Sequence, residues 1–165
     1  MILIDPIIPP EPVIIFGGGH VGFAIYSILS LLDFKITVVD DRPSYASKKR
    51  FPSAARVICS PYGKAFEKTD VDENTSIIIC TRAHKNDEEC LRLALSSPAS
   101  YVGMLGSRTK AAGMKKKMRE LGISPRRIRL LHAPIGLSIG AQTPEEIAVS
   151  VAAELIQFRA FGLTR

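Results

Sequence analysis

The strongest chemical signal in the chain is a short run near its start, Gly17-Gly18-Gly19-His20-Val21-Gly22. Gly17, Gly19 and Gly22 fit the spacing G-x-G-x-x-G. In that pattern the first glycine makes a tight turn, the second lets a pyrophosphate approach the backbone, and the third lets helix and strand pack closely. The phosphate would then sit on free N–H groups at the positive end of the helix. The pattern also calls for an acid about 20 residues further on. Asp40 lies 40 − 17 = 23 positions after Gly17, and its carboxylate would accept hydrogen bonds from ribose hydroxyls. Asp41 and Arg42 follow. An acid here favours an unphosphorylated ribose, whereas an arginine nearby can take a 2′-phosphate, so NAD and NADP both remain open. Arg42 can equally be a solvated residue paired with Asp41.

Three further polar segments invite chemistry: Thr81-Arg82-Ala83-His84-Lys85-Asn86-Asp87, Gly106-Ser107-Arg108-Thr109-Lys110 and His132-Ala133-Pro134-Ile135-Gly136. A serine hydroxyl, an arginine fork and free N–H groups at Gly106, Ser107 and Arg108 suit an anion, although Ser107 is also a favoured plain helix cap. His84 and Asp87 are an acid–base pair by type, or Asp87 serves only the positive end of a helix. Cys80, His84 and Cys90 give C-x3-H-x5-C, a spacing zinc accepts. Yet Cys80 falls in an apolar strand and Cys90 on an inward helix stripe, where free cysteine behaves as a small hydrophobe, so no metal is expected. No nucleophile-elbow sequence surrounds Ser107, and no residue is assigned a catalytic role.

The elements that must position these residues alternate. Val13–Phe16, Ile36–Asp40, Arg56–Cys59, Ser76–Thr81 and Tyr101–Leu105 read as strands, with Ile128–Leu131 as a sixth. Helical spacing runs from Val21 to Leu32, over Asn86–Ser97, and through Ala111, Met114, Met118 and Leu121 to a stop at Gly122. The last helix opens with Thr143 as N-cap, Pro144 next and Glu146 closing a capping box, and carries the stripe Ile147, Val151, Leu155 and Phe158. Alternation with nearly continuous apolar strands predicts an α/β fold: a doubly wound, Rossmann-like, mostly parallel sheet in a single domain. That domain spans residues 13–165, after a Pro-rich extended lead-in over 1–12. In such a sheet ligands bind outside the carboxyl ends of the strands, where the order reverses, and each polar segment above falls at that rim.

Composition sets the limits. The 165 residues carry 22 Lys+Arg against 16 Asp+Glu, a net charge of +6, with 46 % hydrophobic and 23 % charged residues. Those are ordinary values for a globular domain, which excludes collagenous and disordered classes. The excess charge suits an anionic partner. Lys48–Arg50, Lys115–Lys117 with Arg119, and Arg126-Arg127 with Arg129 read as solvated faces, and no nucleic-acid partner is expected. No apolar run approaches the ~20 residues that span a bilayer, so no membrane partner is expected. Met1–Pro12 carries Asp5, Glu11 and four prolines, unlike a signal peptide. Three cysteines without a CxxC pair suit a reducing cytoplasm.

Several segments resemble a known family. FGGGHVG at 16–22, VVDDRPSYA at 38–46, RFP at 50–52, TRAHKND at 81–87, YVGMLGSRTK at 101–110 and APIGLSIGAQTPEEIAVSVAAEL at 133–155 are similar to the C-terminal Rossmann domain of the XdhC/CoxI family, accessory proteins of xanthine dehydrogenase and related molybdenum hydroxylases. The resemblance implies a molybdenum-cofactor chaperone that binds the pterin, assists its sulfuration with a cysteine desulfurase and delivers it to the hydroxylase. It implies that Gly17, Gly19, His20 and Gly22 form the nucleotide-type loop, with Asp40, Asp41 and Arg42 beside it. Thr81, Arg82, His84, Asp87, Gly106, Ser107 and Arg108 would line the same cleft, closed by Gly136, Gly140, Glu145 and Glu146. Ala83 stands where the family usually has glycine, which would cost a position allowing positive φ. Family members generally carry an N-terminal domain with its own cysteine, and the 165 residues correspond to the C-terminal domain only. Rival readings are an NAD(P)-dependent oxidoreductase and a nucleotide-sensing regulatory module. A homodimer is left open.

Overall fold

The computed structural model describes residues 10–162. Six strands lie in one parallel sheet in the order β3-β2-β1-β4-β5-β6: β1 (Glu11–Phe16), β2 (Phe34–Asp40), β3 (Arg56–Cys59), β4 (Ser76–Ile79), β5 (Tyr101–Met104) and β6 (Leu131–His132). This is the doubly wound order, reversing between β1 and β4. Register pairs Ile15 with Val38 and Ile78, and Phe16 with Val39 and Ile79. The chain therefore leaves β1, β2 and β4 at one edge.

Alternate side chains point to opposite faces, and both faces are covered. Ile14, Phe16, Val39, Ile77, Ile79, Val102 and Met104 pack under α2 (Tyr62–Phe66), α3 (His84–Ser96), α4 (Arg108–Glu120) and α5 (Pro125–Ile128). Val13, Ile15, Ile36, Val38, Ile78 and Tyr101 pack under α1 (His20–Leu29) and α6 (Pro144–Phe161). Burial on two sides is why the strands read as unbroken apolar runs. The capping box of α6 is formed as expected, with Glu146 N–H on Thr143 Oγ1 at 3.2 Å and Thr143 N–H on Glu146 Oε2 at 3.1 Å.

Local departures have physical causes. Ile128–Leu131 is not the sixth strand. Ser124 caps Arg127 N–H at 3.3 Å and Pro125 follows it, so this stretch opens as the one-turn helix α5 and β6 begins at Leu131. α2 has no sequence signal, because five residues hold no full apolar period; Phe66 fixes it by stacking on Phe16 at 4.5 Å. Leu121 is 44 % exposed instead of inward, since α4 ends at Glu120 and Gly122 turns the chain away with φ +81°. Strand β4 ends at Ile79, two residues short of Thr81, α1 stops at Leu29, and α3 starts at His84. Arg127 is only partly exposed. Its guanidinium donates to the carbonyls of Leu95 (2.9 Å), Ala99 (3.0 Å) and Ser97, tying down the chain between α3 and β5. Of the lead-in, residues 1–9 lie outside the described residues, and β1 already begins at Glu11.

Candidate functional site

The glycine run connects β1 to α1, and each glycine meets a different demand. Gly17 turns the chain at φ +117°, its N–H bonded to Val39 O at 2.8 Å, and a Cβ there would enter the Cys80 carbonyl. A Cβ on Gly22 would overlap the Gly17 carbonyl oxygen, which is the close helix–strand contact expected of the third glycine. Gly18, a free position in the pattern, is constrained too: a Cβ would overlap Tyr45 O, and Arg50 Nε donates to Gly18 O at 3.2 Å. Of the four glycines, Gly19 alone faces open space: a Cβ there would meet nothing within 4 Å. It is the N-cap of α1, which has no side-chain cap and no acid in its first turn. The helix therefore presents uncompensated N–H groups and a partial positive charge beside the one glycine that leaves room for a ligand.

Asp40 is fully buried, and its carboxylate is already engaged. Oδ2 accepts Gly18 N–H (2.8 Å) and Arg42 Nη2 (3.0 Å); Oδ1 accepts Arg42 Nε (2.8 Å) and Arg42 N–H (3.0 Å). Four bonds fill a carboxylate's acceptor capacity, so the expected acceptance of ribose hydroxyls has no lone pair left in this arrangement. Burial alone would raise this carboxyl's pKa. The Arg42 guanidinium and the two backbone N–H groups outweigh it and hold the group below the usual aspartate value. Arg42 in turn stacks on Tyr45 at 3.7 Å from the ring centre. The alternative partner named for Arg42, Asp41, is 3.7 Å from its Nε and receives Arg82 Nη2 at 3.3 Å.

A cleft of about 350 Å³ opens here, lined by Gly17, Gly19, His20, Asp40, Arg42, Thr81 and Arg82 among others. It sits between β1 and β4, where the strand order reverses. Thr81 forms its far wall and donates to Asp87 at 2.6 Å; the other Asp87 oxygen takes Lys110 Nζ at 2.6 Å. Asp87 is 1 % exposed, so these bonds consume a buried charge. His84 lies exposed at the start of α3, and the acid–base pair it offered with Asp87 is replaced by the Lys110 pair. Ala83 is extended (φ −136°), so alanine costs the loop nothing. Cys80 places its thiol 3.3 Å from Gly17 O, and burial, with Asp87 and Asp40 nearby, pushes that thiol up to about 12.

Gly106 and Arg108 line a neighbouring cavity of about 510 Å³ with the 133–141 segment, Ile147 and Ser150, meeting the first cleft at Leu105. Ser107 caps α4 through Lys110 N–H at 3.2 Å. Gly136 and Gly140 belong to this second cavity, while Glu145 is exposed and Glu146 serves the α6 cap. The loop is held from beneath. Buried Glu154 of α6 accepts Gly136 N–H, Tyr101 OH (3.1 Å) and His132 Nδ1 (2.7 Å), and Ser150 Oγ donates to Leu137 O at 2.7 Å. Sequence reasoning missed the positioning contacts of both Lys110 and Glu154. Lys110 is legible only as a lysine one turn into a helix, and Glu154 only as an acid on an inward position.

Among the described residues no three of His, Cys, Asp and Glu converge on a metal position. A third cavity, of about 530 Å³, lies at the opposite strand ends around Pro98–Ser100 and Arg126–Arg129, where the Arg127 guanidinium is spent on carbonyls. The donor set at Gly19 and α1 fits the phosphate of a nucleotide or a phosphorylated pterin.

A family model described as the XdhC Rossmann domain matches residues 13–155. The chain is 35 % identical over 147 residues to "Uncharacterized protein YqeB" of Escherichia coli, covering 88 % of this chain and 27 % of that protein. It is 31 % identical over 153 residues to a probable xanthine dehydrogenase subunit of Bacillus subtilis, covering 92 % of this chain and 44 % of that one. A crystal structure described as a xanthine dehydrogenase from Bacillus halodurans superposes with a TM-score of 0.82 at 32 % identity, over 93 % of this chain and 44 % of that chain. The chain thus spans less than half the length of these relatives. The NAD(P)-binding domain of an exopolyphosphatase-related protein from Archaeoglobus fulgidus (TM-score 0.54, 16 % identity) shares the fold alone.

Proposed function

The chain belongs to the family of the XdhC Rossmann domain, and from that premise we propose that it binds a phosphorylated cofactor, the molybdenum cofactor or a nucleotide, and serves maturation of a xanthine-dehydrogenase-type molybdenum hydroxylase. The observation that supports this reading best is the uncapped α1 N-terminus beside open Gly19, at the sheet's switch point. For a dinucleotide, the N–H groups after Gly19 would hold the pyrophosphate, flanked by His20 and Thr81, with Arg42 and Arg82 facing the ribose end; for a pterin with a single phosphate, those N–H groups and the two arginines of the same cleft would share it. The cofactor, when bound, carries the oxygen-transfer chemistry that the hydroxylase uses; this chain binds and orients it. Names of relatives as xanthine dehydrogenase proteins support the hydroxylase as partner, and the family resemblance adds a cysteine desulfurase for sulfuration. Its setting would be cytoplasmic; among the described residues no helix is long and apolar enough to cross a membrane.

Calorimetric titration with molybdopterin, NAD(H) and NADP(H) tests the reading. Tight pterin binding without dinucleotide binding supports the chaperone and removes the oxidoreductase. Micromolar NAD(H) binding without pterin affinity overturns the chaperone.

A further inference from the structure

Standard dinucleotide sites of this fold read the ribose with the acid that closes the second strand. Here that acid is closed. Both Asp40 oxygens are shared between Gly18 N–H and the Arg42 backbone and side chain, all four bonds between 2.8 and 3.0 Å. The neighbouring acid offers no substitute. Asp41 Oδ1 is enclosed without a hydrogen-bond partner, its Oδ2 is bonded to Arg82, and Asp41 does not line the cleft. What the cleft does present is cationic. Arg42 and Arg82 both line it, with side chains 26 % and 57 % exposed. Arg42 spends two of its five N–H donors on Asp40, and the planar group is braced by Tyr45. The free edge of such a guanidinium is matched to a phosphate and has nothing to accept from a hydroxyl.

We infer that Arg42 and Arg82 are the specificity-determining residues of this cleft, and that they select ligands carrying a phosphomonoester over ligands that offer a ribose diol or a free hydroxyl at the same place. The inference rests on the cofactor-binding reading above and names the ligand class within it. Asp40 is then a positioning residue that shapes the glycine loop through Gly18 and aims Arg42. A phosphomonoester can come from a dinucleotide bearing a 2′-phosphate or from a phosphorylated pterin.

Two matched pairs of probes separate the sources: NADP against NAD, and molybdopterin against the same pterin after phosphatase treatment. Each is titrated into the wild-type chain, Arg42→Ala and Arg82→Ala, with circular dichroism checking that the fold persists. In whichever pair binds, the phosphorylated member should bind at least about tenfold tighter to wild type. The advantage should fall below about threefold in Arg42→Ala and diminish in Arg82→Ala, which sits on an exposed side chain and leaves the core untouched. Arg42→Lys, which keeps charge but loses the fork, should retain part of it. Equal binding within a pair, or an advantage that survives both alanine variants, overturns the inference while leaving the cofactor site in place. Binding of no member of either pair overturns both.

Discussion

The two halves of the ligand rim are built differently. Around β1, α1 and β2, shape comes from backbone in close approach. Gly17, Gly18 and Gly22 are each pressed against a main-chain carbonyl, and Asp40 draws the loop in through Gly18 N–H. Around β5, β6 and α6, shape comes from side chains reaching across the fold: Glu154 gathers Gly136, Tyr101 and His132, while Lys110 bridges Asp87 and the Leu105 carbonyl at 3.2 Å. The first half tolerates almost no added atom. The second depends on a few buried polar contacts, each of which costs heavily when its partner is lost.

That contrast can be broken at chosen places, with urea denaturation as the readout of stability. Glu154→Ala removes the common acceptor of His132 and the Gly136 N–H, and is expected to cost about 4 kcal/mol. Gly22→Ala forces a methyl into the Gly17 carbonyl and is expected to cost about 3 kcal/mol. Lys110→Met leaves buried Asp87 with Thr81 alone, for about 2 kcal/mol. Gly19→Val meets open space and should cost no more than about 1 kcal/mol, the penalty of an apolar residue at an N-cap, yet block phosphate approach and weaken cofactor binding at least about tenfold. If Gly19→Val instead unfolded the chain, the claim that this glycine faces ligand space would fall.

Acid acts on the same two halves of the rim with a smaller effect. Burial opposes the charge of Glu154, but the bonds from His132, Gly136 and Tyr101 hold its pKa below 4.5; Asp40 is likewise held below 3.8 against its burial, chiefly by Arg42. A carboxyl depressed in the folded state contributes stability above its unfolded value and loses it as pH falls through the folded one. Melting temperature should therefore be insensitive to these groups above about pH 5, then decline from about 4.5 for Glu154 and about 3.8 for Asp40. Glu154→Gln and Asp40→Asn should each flatten that decline.

How far the sequence foretold each half follows from the same physics. The glycine loop was legible because its demands fall on adjacent residues, and a parallel sheet covered on both faces followed from apolar runs and alternation. The closure of Asp40 was not, since a spacing of 23 locates the acid without revealing that Arg42, two residues on, occupies it. Gly18 carries no signal because the pattern leaves that position free; its reason lies 27 residues away at Tyr45. Lys110 and Glu154 act across 23 and 18 residues, to Asp87 and Gly136, distances at which a single sequence carries no pairing signal. α5 was hidden by Ile128, whose burial suits a strand or a one-turn helix alike.

Binding of a phosphorylated cofactor at the Gly17–Gly22 loop is read out residue by residue by amide chemical-shift mapping. Isotope-labelled protein is titrated with molybdopterin and, separately, with NADP. The largest shifts should fall on the amides of Gly19, His20 and Val21, with smaller ones at Arg42 and Arg82, and should vanish in Gly19→Val. Shifts concentrated instead on residues 126–130, or confined to the 133–141 loop with the glycine run undisturbed, would contradict it.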